Sequence, residues 1–141
     1  MKNLILLIAI TIVFSACTKE AGEGGTSIIH GQVYKIHTFQ NSITGEIDTL
    51  YFQLDAGKDV FIIYSDDETA IYDDEFETDY NGRYRFEFLR KGDYTIYTYA
   101  DSTVGIPPFD VKYDYPVFLH IEIKENNFTN NIDDFVIEKN Q

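Results

Sequence analysis

Fourteen consecutive residues, Asp66 to Asp79, read DDETAIYDDEFETD and carry eight carboxylates without a single Lys or Arg. A hard cation such as Ca²⁺ wants roughly six to eight oxygen ligands, several of them carboxylates. Asp66, Asp67, Asp73, Asp74 and Glu75 are therefore candidate ligands for a structural calcium, whose charge would relieve the loop's self-repulsion. The spacing matches no EF-hand loop, and no bidentate Glu follows at the required distance. A solvated loop that keeps the domain soluble accounts for the same residues. Asp79-Tyr80-Asn81-Gly82 also looks like a metal loop, but an Asn-Gly hairpin turn explains it. The histidines are His30, His37 and His120. His30 and His37 would face opposite sides of a regular strand, and no pair has zinc-site spacing. No G-x-S-x-G is present, and nucleophilic catalysis has no visible machinery. With 24 acids, some carboxylate pairs are inevitable. A small hydrolase built on one is the least favoured class, no catalytic residue is assigned, and the chain is read as non-enzymatic. If Tyr94 and Ile96 face the core, Tyr97 and Tyr99 face outward. Beside Arg83 and Arg85 on an adjacent strand they would form a surface suited to protein or sugar recognition. Ordinary cross-strand packing would use the same side chains.

The elements that must position these residues are strands. The chain has 141 residues, 24 acidic and 11 basic side chains, and 22 Phe plus Tyr. Beyond residue 16, 52 residues are Ile, Val, Thr, Tyr or Phe, while Ala and Leu number four each. That composition suits pleated, half-buried surfaces and gives no helix of length. Extended segments are expected at 27–39, 50–54, 59–65, 75–79, 83–89, 93–100, 115–124 and 132–138. Tyr84, Phe86 and Phe88 should share a face. Asn81-Gly82 and Arg90-Lys91-Gly92 should turn the chain between strands, with a long connection over 102–114 and an Asn-rich turn over 126–131. The expectation is an all-β fold: a single Greek-key β-sandwich of about seven strands over residues 27–141. The acidity excludes a binder of nucleic-acid backbones, so no nucleic-acid partner is expected.

The first residues carry an address. Lys2 precedes an uncharged run, Leu4 to Phe14, too short to span a bilayer but of signal-peptide length. It ends in Phe14-Ser15-Ala16-Cys17, which resembles the lipobox of bacterial lipoproteins. The resemblance implies cleavage after residue 16 and lipidation at Cys17, with the membrane as a partner through the lipid. Thr18, where an Asp would favour inner-membrane retention, points to the outer membrane, with the domain facing the periplasm or the surface. Lys19-Glu20 loosely resembles a surface-export tag. Residues 17–26 comprise the lipidated cysteine and a short flexible tether, spanning roughly 15–18 Å. Without Lys2 the chain carries 10 basic against 24 acidic groups, a charge of −14.

A second resemblance lies in Gly31-Gln32-Val33, Asp59-Val60-Phe61-Ile62, Thr78-Asp79-Tyr80-Asn81-Gly82-Arg83-Tyr84-Arg85-Phe86 and Leu89-Arg90-Lys91-Gly92-Asp93-Tyr94. In that order they resemble the carboxypeptidase regulatory-like domain, a transthyretin-like (prealbumin-like) sandwich also akin to the Ig-like folds. The match covers about residues 29–100, with a longer acidic stretch than the family pattern. It implies the fold and an accessory or binding role rather than an activity. Asp48-Thr49-Leu50 and Asp101-Ser102-Thr103 resemble a bacterial O-glycosylation triplet, and Asn127-Phe128-Thr129 the eukaryotic N-glycan sequon. The leading expectation is a lipid-anchored envelope lipoprotein that binds a protein or glycan partner. The alternative is a structural subunit of a surface assembly joined by edge strands. No cofactor is expected beyond the candidate calcium.

Overall fold

The structure, a computed structural model, describes residues 20–41, 43–104, 109 and 111–140. The signal segment and Cys17 lie outside the described residues. Within them there is no helix long and apolar enough to cross a membrane. The described residues form nine strands: β1 (Glu23–Gln40), β2 (Ile47–Leu54), β3 (Asp59–Ile63), β4 (Asp74–Glu77), β5 (Arg83–Leu89), β6 (Gly92–Val104), β7 (Val111–Ile123), β8 (Thr129–Asn131) and β9 (Phe135–Asn140). The expected count of about seven is exceeded partly because the Asn-rich turn yields β8. The long connection shrinks because β6 and β7 pair in register from Gly92↔Ile123 out to Val104↔Val111.

Two sheets result. In one, β1 pairs antiparallel with β2 and β5, and parallel with β8 and β9. The other runs β4-β3-β6-β7, antiparallel throughout. The core lies between them. Alternation supplies it: Ile29 and Val33 from β1, Val60 and Ile62 from β3, Tyr84 and Phe86 from β5, Tyr94 and Ile96 from β6, Phe135 and Ile137 from β9 are all buried. Each such side chain contributes roughly 1.5–3 kcal/mol by leaving water.

Phe88 departs from the expected face. Its φ of 58° breaks the alternation of β5, so Phe88 is exposed and Leu89 is buried in its place. β1 also starts before Ser27, the expected first residue. Ala21 packs against the core. Gly22 donates its amide to the Tyr94 hydroxyl at 2.9 Å and accepts the Arg90 amide at 2.8 Å. A Cβ on Gly25 would lie 1.9 Å from the Leu89 carbonyl oxygen. The stretch read as tether thus gives its last residues to the domain, because small side chains let the backbone dock.

The Asn-Gly turn forms, but not as a hairpin. Gly82 donates to the Asp79 carbonyl at 2.8 Å, and only Gly82 of the pair has positive φ, 66°. Asp79 Oδ1 caps it, accepting the amides of Asn81 and Arg83 at 2.8 and 2.9 Å. The turn carries the chain from β4 in one sheet to β5 in the other. Thr78 fastens the joint: its hydroxyl donates to the Asp55 carbonyl at 2.6 Å and accepts the Lys58 amide at 2.8 Å. The turn at Gly92 makes a second crossing, from β5 to β6.

Candidate functional site

Both crossings decide what the candidate residues can do together. Arg83 and Arg85 ride on β5, and Tyr97 and Tyr99 on β6, in different sheets. Arg83 and Arg85 alternate out of the core on one side. Tyr97 and Tyr99 alternate out on the other, since Tyr94 and Ile96 point in. The expected Tyr/Arg surface is therefore not formed. The reason is that the connection at residues 90–92 passes between sheets instead of folding back on β5.

Tyr97 and Tyr99 find other company. Across the outer face of the second sheet, Glu75, Phe61, Tyr97 and Phe118 stand in register on four successive strands. The Phe61 and Tyr97 rings stack at 5.0 Å, and Tyr97 meets Phe118 at 5.3 Å. Tyr99 packs edge-on to Tyr97 at 5.8 Å, and Tyr72, from the acidic loop, lies 4.8 Å from Phe61. Tyr97 is only 8% exposed, whereas Tyr72 and Tyr99 remain 43% and 40% exposed. The result is a ring platform with a sealed centre and open margins. Burial first, then the neighbouring Tyr99 and Tyr72, push the Tyr97 phenol up from its ordinary value. Carboxylates rim the platform. Asp59 faces Glu77 across β3 and β4, and Asp101 faces Asp114 across β6 and β7. Like charges directly opposite are unfavourable in a sheet, so these pairs cost stability in the free protein.

The acidic loop roofs the other half of this face. Asp73 donates its amide to the Ile62 carbonyl at 2.9 Å, and its Oδ2 accepts the Tyr64 amide at 2.7 Å. Farther along, His120 ties the loop to β6: Nε2 meets Glu68 Oε1 at 2.8 Å and Nδ1 meets Thr95 Oγ1 at 3.0 Å. Thr95 spends its own hydroxyl proton on the Ser65 carbonyl, 2.8 Å away. Its oxygen is thus left to accept from His120.

The candidate calcium ligands are dispersed by these duties. Asp67 accepts the Thr69 hydroxyl and amide at 2.6 and 2.9 Å, which holds its carboxyl below the usual range. Asp73 is bound to Tyr64, and Asp74 Oδ1 accepts the Glu75 amide at 2.9 Å. Glu75 stands beside Phe61, and Asp66 is exposed. Among the described residues, no three His, Cys, Asp or Glu side chains gather to hold a metal. The histidines are apart in role: His37 is buried and stacks on Tyr51 at 4.3 Å, while His30 lies opposite Arg85. Of the triplets resembling glycosylation sites, Thr49 is exposed on β2 and Ser102 is half-buried on β6.

Phe61, Tyr72 and Phe118 were not singled out by sequence reasoning. Phe61 sits in an apolar run, Val60-Phe61-Ile62-Ile63, that reads as buried on both faces. Its signal was the period of two that sets it against Val60 and Ile62. Phe118 carries the same signal between Val117 and Leu119. Tyr72 had none, because a loop's landing place is not written in its period.

At the β5 margin of the first sheet, where Phe76 reaches in from β4 of the second, an open cleft of about 590 Å³ is lined by His30, Gln32, Phe76, Asp79, Arg83, Arg85 and Asn131, with Gly31 and Tyr84 also contributing. It contains a single carboxylate, that of Asp79.

No family model and no curated protein matches the chain. Among solved structures, a crystal structure from Pseudomonas aeruginosa, described as "a putative carbohydrate binding protein", is similar at 14% identity. The similarity covers 84% of this chain and 92% of that one, with a TM-score of 0.48.

Proposed function

We propose that the protein is a lipid-anchored, non-catalytic binding module of the cell envelope, held at the outer membrane through Cys17 and facing the periplasm or the surface. In this reading the sandwich is transthyretin-like in connection, and its docking face for a glycan or protein partner is the ring platform of the second sheet. The observation that carries the reading is the platform itself: Phe61, Tyr72, Tyr97, Tyr99 and Phe118 form one contiguous cluster with exposed margins. Rings that need no further ordering give contact area at low entropic cost, which is why aromatic anchors dominate recognition surfaces. The rim carboxylates can accept hydrogen bonds from sugar hydroxyls or peptide amides.

The test is a pull-down of the intact lipoprotein from its own envelope, beside Tyr72→Ala and Tyr99→Ala variants. Recovery of a glycan or protein that both variants lose supports the reading. No stable partner, or a partner retained by both, sinks it. A Cys17→Ser variant that stayed wholly in the membrane fraction would contradict the anchor.

A second reading has its own support. β7 is a 13-residue strand at the margin of its sheet, and such an edge can pair with another chain. Pro116 in its middle lacks an N–H and works against pairing. Light scattering decides: a monomer across the micromolar range removes assembly through this edge.

A further inference from the structure

We infer that the cleft on the β1 sheet is a second, separate binding site, and that it takes a short saccharide bearing one carboxylate. Three donors stand in one row across three strands: Arg85 on β5 faces His30 on β1, which faces Asn131 on β8. Arg83 stands two residues along β5, opposite Gln32. Paired residues of neighbouring strands share a face, so these groups project into the same space.

Their engagements leave donors in excess. Gln32 is tied at both ends, its Nε2 donating to the Asn81 carbonyl and its Oε1 accepting the Tyr34 hydroxyl, each at 3.1 Å. It forms a fixed wall. Asp79 is turned to its own loop by the amides of Asn81 and Arg83. Arg85 is braced by Glu87. The Arg83 guanidinium has no ion-pair partner among the described residues. In a chain with 24 acidic groups, an arginine left unpaired inside a cleft is a receptor for an anion from outside. A guanidinium is a planar fork that matches a carboxylate with two parallel hydrogen bonds.

The remaining features restrict the ligand further. The cleft's volume of about 590 Å³ suits a small organic molecule rather than a lone ion. The Phe76 ring, 36% exposed, offers an apolar wall for a sugar's C–H face. Asn131 and His30 can both donate and accept, as sugar hydroxyls require. The chain's overall negative charge repels a long polyanion. Screening over roughly 8 Å at physiological salt spares a short ligand with one charge. This inference does not rest on the ring platform and stands or falls without it.

The test is calorimetric titration of the full chain in detergent micelles with two matched pairs: cellobiouronic acid against cellobiose, and sialyllactose against lactose. The acidic member of at least one pair should bind at least tenfold more tightly than its neutral partner. Arg83→Gln should weaken that binding at least tenfold without moving the melting midpoint, since Arg83 is exposed. Arg85→Gln serves as a second variant and should weaken it as well, while Tyr99→Ala should leave it intact. Absence of binding by both acidic sugars, equal binding of a neutral partner, or unchanged affinity in both arginine variants would overturn the assignment.

Discussion

On the outer face of the β4-β3-β6-β7 sheet, rings pack against one another and carboxylates oppose carboxylates. On the outer face of the β1 sheet, the corresponding positions hold arginines, a histidine and amides, beside a cleft that Phe76 of β4 walls at the sheet's margin. Both faces are built from the same alternating strands, and both inner faces are apolar. The contrast shows that alternation fixes which residues leave the core, while the crossings at Gly82 and Gly92 fix which of them meet. Arg85 and Tyr97 are twelve positions apart in sequence and end on opposite sides of the molecule because the chain changes sheets between them.

The largest perturbation should erase the contrast. Ile96 is fully buried between the sheets and supports both. Ile96→Ala should cost about 2–5 kcal/mol by deletion and cavity formation, and urea unfolding would show it. Survival of either face with unchanged stability would mean the sheets do not share one core. A smaller, one-sided effect is expected at the joint. Thr78→Ala leaves the half-buried Lys58 amide and Asp55 carbonyl without their hydroxyl partner, at about 1 kcal/mol. Hydrogen exchange should then quicken at Asp79–Arg83, beside the cleft, and stay slow at Tyr97 and Phe118. Equal quickening on both faces would contradict a local role for the joint.

Tyr84 sharpens the comparison from inside the cleft's own strand. Its hydroxyl is buried with no hydrogen-bond partner among the described residues. Tyr84→Phe should stabilise the fold at neutral pH by about 1 kcal/mol, because an orphan hydroxyl is removed. The alkaline limb should change too. Burial, with Asp134 second, pushes the Tyr84 phenol well above 10, and burial with Glu23, Asp74 and Asp73 pushes Tyr64 up to about 12. Both groups hold their protons longer folded than unfolded. Their contribution is complete below pH 10 and is lost as the pH rises through the window above it. Melting midpoints measured from pH 9 to 12 should fall less steeply in Tyr84→Phe. An identical slope would remove Tyr84 from the account. The smallest expected effect concerns the loop that roofs the ring face. With Asp67, Asp73 and Asp74 bonded to nearby backbone amides, millimolar Ca²⁺ should leave the melting midpoint where it was. A clear rise would restore the loop as a cation site.

Much of this architecture was legible from residues alone. Tyr84 and Phe86, and Tyr94 and Ile96, declared their inward faces by a period of two. Asn81 and Gly82 declared a turn. Sheet membership was not legible, because a turn that reverses a strand and a turn that crosses to another sheet share one local chemistry. Here Asn81 keeps negative φ and Gly82 alone is left-handed, a distinction the dipeptide does not carry. The Tyr/Arg surface failed for that reason, and the ring platform was missed because it is assembled from β3, β6, β7 and a loop. The break at Phe88 had no signal in a segment that alternates well up to it.

The early docking of the chain has a mechanical consequence. Gly22 is bonded to Tyr94 and Arg90, and β1 begins at Glu23 and runs 18 residues through the middle of its sheet. In the anchored protein we propose, a pull between membrane and partner enters at this point and travels along β1. The ladders to β2, β5, β8 and β9 then bear the load side by side, in shear, instead of opening one rung at a time. The strand that joins four others into one sheet is therefore placed to act as the tendon of the anchor.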